Sequence, residues 1–209
     1  TGTDFVDFIM GVAPMDAPDE VEEVAVAFEM GQPVSVNGAA VGIVQAFEML
    51  NEIGGRNGVG IGCDVIENRR IGIKSRGVYE APGVTVVGYV YDKLLQLILD
   101  RNRRKFFDTV SRQLADVVYE GEWFGPHAGA LIQVTEGIAQ HATGTLTVGL
   151  YKGNIRFISA TDVPYSLYDE EGASMEKVGE LSHGWSQGYM EIADYVARGM
   201  ASAGQTRKP

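Results

Sequence analysis

The 209 residues predict an α+β domain: antiparallel β-hairpins packed with several helices and a C-terminal amphipathic helix. Three observations carry that expectation. Apolar residues alternate with period two in two well-separated stretches, the period changes to that of a helix between them, and strands do not alternate regularly with helices as a parallel crossover sheet requires.

Residues 1–20, "TGTDFVDFIMGVAPMDAPDE", hold an apolar patch and two prolines in an acidic setting and read as an irregular lead-in or interdomain linker. In the next stretch Val24, Val26 and Phe28 alternate with small or polar residues, Met30 to Pro33 make a turn, and Val34 and Val36 alternate again before Asn37-Gly38, which predicts a hairpin. Ile43, Phe47, Leu50 and Ile53 then fall at helical spacing, with Gly54-Gly55 as the left-handed positions expected to end that helix. Further helices are predicted after Pro82, through Val86, Val90, Leu94 and Ile98, around Phe106 to Val118, and from Ala128 to His141. "GTLTVGLYKGNIRFIS" predicts a second hairpin turning at Lys152-Gly153-Asn154. Tyr189, Ile192, Val196 and Met200 form one stripe of a terminal helix. The organisation expected is a lead-in over 1–20, an α+β body over 21–185, and a helix with tail over 186–209.

Composition excludes more than it selects. A net charge of −11 repels polyanions, which argues against general nucleic-acid or anionic-membrane binding. Cys63 is the single cysteine, with no Cys or His partner at metal-ligand spacing, so no internal disulfide or zinc site is indicated and a reducing cytoplasm fits. No apolar run approaches the roughly 20 residues needed to span a bilayer. The first residue is Thr1 rather than methionine, which suggests that the natural polypeptide extends upstream.

Against this acidic background, Arg69, Arg70, Lys74 and Arg76 crowd into eight positions between Glu67 and Tyr79. Read as one strand, Asn68, Arg70, Gly72, Lys74 and Arg76 share a face, and Glu67, Arg69, Ile71, Ile73 and Ser75 share the other. Such a face orients an anion or zwitterion through guanidinium forks and a lysine charge; the plainer and favoured reading is an edge strand whose cations discourage aggregation. Gly58-x-Gly60-x-Gly62 follows a helix rather than opening one, so it reads as a flexible loop flanking a site and not as a dinucleotide fingerprint. His127, His141 and His183 show no ligand spacing, and no nucleophile elbow or phosphate-loop motif occurs. Asp169, Glu170 and Glu171 carry hard oxygens suited to Mg²⁺, but consecutive acidic loop residues are more often solvated.

At "LNEIGGRNGVG", "ENRRIGIKSRGVYEAPG", "YEGEWFGP" and "LYKGNIRF" followed by "PYSLYDEEGASME", the chain resembles the C-terminal synthetase domain of argininosuccinate synthase, collinearly from about Met10 to Met175. The resemblance implies an ATP-dependent ligase of arginine biosynthesis, cytoplasmic and homotetrameric, with the C-terminal helix clasping neighbouring subunits. In that family the ureido oxygen of citrulline is adenylated, pyrophosphate leaves, and the amine of aspartate displaces AMP. The glutamate before "NR" and the tyrosine of "SRGVYE" contact citrulline there, which implies substrate-binding roles for Glu67 and Tyr79 and no catalytic or metal-ligating residue in this chain. The family's nucleotide loop, S-G-G-x-D followed by Ser or Thr, does not occur in these residues, so ATP with Mg²⁺ is expected to be bound mainly by an N-terminal domain outside them, and the chain alone is expected to be inactive. Asn57 stands where the family has histidine, "GIGCDVIEN" is one residue longer than its counterpart, and the block before the last helix is not recognisable. Two further readings stay open: a related ligase that adenylates another ureido or amide acceptor, and a binding or assembly module without catalysis.

Overall fold

The computed structural model describes residues 6–172 and 182–205, and the chain divides into two compact units, Thr1–Leu167 and Tyr168–Pro209. The end of the family-like stretch, at residues 173–175, lies outside the described residues.

The first unit is built on an antiparallel sheet. Strands β1 (Glu22–Glu29) and β2 (Gln32–Val36) turn at Met30 and Gly31, both at positive φ, the geometry that matches strand twist in a two-residue hairpin loop. A second left-handed pair, Asn37-Gly38, leads into the short β3 (Ala39–Ala40), and the Asn37 side chain fastens that turn by accepting the Ala25 N–H at 2.9 Å. Helices α1 (Ile43–Arg56) and α2 (Pro82–Ile98) flank a smaller hairpin, β4 (Cys63–Asn68) and β5 (Lys74–Tyr79). Next come α3 (Arg101–Tyr119) and α4 (Pro126–Ala139), then β6 (Gly144–Tyr151) and β7 (Asn154–Thr161), which turn at Lys152-Gly153. The order in the large sheet is β3-β2-β1-β6-β7, so the two predicted hairpins join edge to edge through β1 and β6. That long-range pairing has no local signature.

The alternation of β1 is a burial pattern: Val24, Val26 and Phe28 turn inward with Val36, Leu146, Val148 and Leu150, against Leu50 of α1 and Val90 and Leu94 of α2. Each such side chain contributes about 1.5–3 kcal/mol when withdrawn from water. Helices α3 and α4 close a second, smaller cluster around Val110, Val117, Ala128 and Leu131. Asp100 caps α3 by accepting the N–H groups of Asn102 and Arg103, which starts that helix well before its apolar pattern becomes visible.

Three expectations change. Gly54 and Gly55 do not end α1; they lie inside it, buried, and the left-handed residue is Gly58, after Asn57. Their role is close approach: a Cβ on Gly55 would sit 2.0 Å from the carbonyl oxygen of Met10, and Val12 N–H donates to Gly55 O at 3.1 Å. The glycine run at 58–62 is not a slack loop. Val59 and Ile61 are buried in it, Gly58 meets Pro14, and Gly60 accepts the Ala81 N–H at 2.8 Å. The basic segment, finally, is not one strand but a hairpin, because Arg69 N–H bonds Ile73 O, Gly72 N–H bonds Arg69 O, and Gly72 takes a left-handed φ.

The second unit contains α5 (His183–Ser202), capped by Ser182, whose hydroxyl accepts the Gly184 N–H at 3.2 Å. None of its residues is buried, and Tyr189, Ile192, Val196 and Met200 are exposed. Asp169 accepts the N–H groups of Glu171 and Gly172, a local turn motif. No described helix is long and apolar enough to cross a membrane.

Candidate functional site

The hairpin β4–β5 brings Glu67 and Tyr79 together. Its register pairs Cys63 with Tyr79, Val65 with Gly77, Glu67 with Ser75 and Asn68 with Lys74. Because directly opposed residues point to the same side of a sheet, Cys63, Val65, Glu67, Ser75, Gly77 and Tyr79 share one face, and Asp64, Ile66, Asn68, Lys74, Arg76 and Val78 share the other.

On the first face the Tyr79 hydroxyl donates to Glu67 Oε1 at 2.9 Å, and Ser75 Oγ donates to the same oxygen at 3.3 Å. Oε2 takes part in neither bond. The site is shallow and open to solvent: Tyr79 is 46% exposed. The hydrogen bond to Glu67, and then the carboxylate's negative charge, hold the Tyr79 hydroxyl above the usual tyrosine range, with Arg69 pulling weakly the other way. At neutral pH the phenol is therefore a proton-bearing donor to Glu67, with an oxygen lone pair still able to accept.

Three of the four cations do not line this face; Arg69, in the turn, is the one that acts on Tyr79. Arg76 forks onto Asp64 across the other face, Nε to Oδ1 at 2.8 Å and Nη2 to Oδ2 at 2.7 Å, and that guanidinium holds the Asp64 carboxyl below its usual range. Arg70, at the hairpin tip, reaches Glu120 at 3.7 Å. Thus Arg76 fastens the two strands, while Lys74 lies on the face turned away from Glu67. The cross-strand pairing of Asp64 with Arg76, and Ser75 as second donor to Glu67, escaped the sequence reading. The signal for both was Gly72, which marks a turn and makes strand partners of segments read as one strand.

The hairpin is held at its root. Glu80, next after Tyr79, accepts the N–H of Ile9 at 3.0 Å and of Met10 at 2.7 Å, and Phe8 packs against Gly62, the residue before β4. Both strands are thereby anchored to the incoming segment. Asn57, 1% exposed, lies in a separate node: its amide donates to Glu22 Oε2 at 2.6 Å and to Ile53 O at 2.9 Å, and Arg56 also donates to Glu22. The position that departs from the family's histidine is thus a structural anchor.

Among the described residues no group of three His, Cys, Asp or Glu side chains is placed to hold a metal ion. Two backbone N–H groups of the glycine run are turned inward, Gly58 N–H to Gly55 O and Val59 N–H to Gly54 O.

Residues 6–199 match the family model described as arginosuccinate synthase C-terminal domain. Among curated proteins, the chain is 45% identical over 200 residues to a protein named argininosuccinate synthase from Rhodopirellula baltica, covering 94% of this chain and 48% of that protein. It is 40% identical to the argininosuccinate synthase of Desulfitobacterium hafniense strain DCB-2 over 88% of this chain and 46% of that protein. For the Lachnoclostridium phytofermentans protein of the same name, the identity is 43% over 88% of this chain and 45% of the relative. The chain therefore spans about half the length of the relatives it matches.

Proposed function

The chain belongs to the argininosuccinate synthase family as its C-terminal domain, and on that premise we propose that it supplies the citrulline-holding half of the enzyme. The complete protein would join citrulline to aspartate with cleavage of ATP to AMP and pyrophosphate. The nucleotide with Mg²⁺, and the aspartate, would be held by residues outside these 209.

The observation that carries the proposal is the Glu67–Tyr79 pair on one face of the hairpin. With Oε1 engaged by Tyr79 and Ser75, the second carboxylate oxygen would receive the α-ammonium of citrulline as a charge-assisted hydrogen bond. The Tyr79 oxygen would meet the carboxylate or ureido end of the same substrate. Neither residue moves a proton in this scheme. Their work is to fix the ureido oxygen in position for attack, the kind of orientation that converts binding into rate.

In the complete enzyme, Glu67→Gln and Tyr79→Phe should each raise the citrulline KM about tenfold or more, as expected when a hydrogen bond to a charged group is lost, and leave the ATP KM within about twofold. Equal, small changes in both constants would end the assignment. The uncovered apolar stripe of α5 supports a homotetramer in which this helix packs on neighbouring copies. Light scattering on the complete protein should give four times the subunit mass; a monomer would remove that part of the proposal.

A further inference from the structure

We propose that Gly77 is a positioning residue for the Glu67–Tyr79 pair, because the missing side chain leaves the channel along which the tyrosine ring reaches the carboxylate. The role in substrate binding rests on the reading above; the geometric role does not.

Tyr79 is opposite Cys63, and Glu67 is opposite Ser75, four residues further along β5. At about 3.3 Å per residue those two levels are roughly 13 Å apart, so neither side chain standing upright on its strand meets the other. The 2.9 Å bond between them requires the tyrosine to lie down along β5 toward Ser75. Position 77 is the position on that face of β5 between them. A Cβ there would be 2.4 Å from Tyr79 Cε2 and 2.5 Å from both Cζ and the hydroxyl oxygen, well inside any non-bonded contact.

Two features decide what yields. Gly77 is absent from the residues at positive φ, so its backbone accommodates an alanine without strain. The atoms it would strike belong to the far end of a rotatable side chain on an exposed face, not to backbone. The ring, and not the strand, gives way. Gly77→Ala should therefore keep the hairpin and break the Tyr79–Glu67 bond, although it alters neither partner. Glycine ordinarily weakens a strand interior, so its presence at 77 is in keeping with a cost borne for this contact.

The test uses ring-labelled tyrosine NMR, with the Tyr79 signal assigned through Tyr79→Phe. In Gly77→Ala the amide spectrum should stay native while Tyr79 titrates at lower pH than in the parent, because the hydrogen bond that holds its proton is gone. In the complete enzyme the citrulline KM should rise about tenfold, to the level of Tyr79→Phe, with the ATP KM within about twofold, and the double variant should be no worse than either single one. An unchanged Tyr79 titration, or citrulline KM effects that add in full, would overturn the proposal. A shifted titration with an unchanged citrulline KM would support the positioning role and reject the citrulline reading. If Gly77→Ala opens the hairpin instead, Gly77→Ala with Tyr79→Leu removes the ring and should restore the native spectrum; failure of that rescue also overturns the proposal.

Discussion

Two hairpins of this chain, β1–β2 and β4–β5, have the same plan and opposite economies. In the first, Val24, Val26, Phe28 and Val36 are essentially withdrawn from water under α1 and α2. In the second, Val65, Ile66 and Ile73 stay exposed, and what joins the strands across their faces is polar: Arg76 on Asp64, Tyr79 and Ser75 on Glu67. An isolated two-stranded hairpin is marginal in water, so the second depends on its root, where Glu80 holds the backbone of Ile9 and Met10. Apolar residues at alternating positions thus mark a core only where a second layer exists to cover them.

The contrast is broken most severely from the core side. Leu50→Ala should cost about 2–5 kcal/mol in denaturant unfolding, the range for a fully buried leucine, yet leave the Tyr79 titration of the folded protein unchanged. A shift in that titration would show that the hairpin is not energetically separate from the sheet. Next comes the Glu22 node, which joins β1 to the end of α1. Glu22→Ala leaves the buried Asn57 amide without one of its acceptors and should cost about 1–3 kcal/mol. The bond from Arg56, with a smaller part from Asn57, holds the Glu22 carboxyl below the usual glutamate range against the opposing effect of burial. Its folded-state pKa is therefore below the unfolded one, so its contribution is complete above the unfolded value of about 4.3 and is lost as pH falls through the folded value. Acid titrations of stability should show a shallower loss in Glu22→Gln than in the parent; parallel curves would remove the electrostatic part of the account. Smallest of all should be the thermal effect of Glu67→Gln and Tyr79→Phe, within about 2 °C of the parent midpoint, since substitutions on an exposed face with no buried partner rarely matter to folding.

The α+β class and the existence of the helices, though not the end of α1 or the start of α3, were legible because they are written in local periodicity: Leu50 and Ile53, or Val86, Val90 and Leu94, repeat at helical spacing whatever they pack against. The joining of β1 to β6 was not legible, since Glu22 and Leu150 meet across more than a hundred residues and neither announces the other. Glu67 and Tyr79 entered through family likeness and not through pattern. Their shared face depends on the turn at Gly72, which one continuous strand over 67–76 would lack. Gly54 and Gly55 show a related ambiguity: a glycine pair after an apolar period reads as a helix terminator, whereas here Gly54 makes room for Pro82 and Gly55 for Met10 and Gly11.

That contact belongs to a strap. The segment from Phe8 to Pro14 touches Gly62, Glu80, Gly55, Gly58 and, through Pro14, Gly153 at the β6–β7 turn. During synthesis the strap leaves the ribosome before every one of these partners, and Gly153 follows it by about 140 residues, or roughly 7–28 s at ordinary elongation rates. The root of the β4–β5 hairpin can accordingly close as soon as Glu80 has been made, whereas the far end of the strap, at Pro14, waits for the β6–β7 turn.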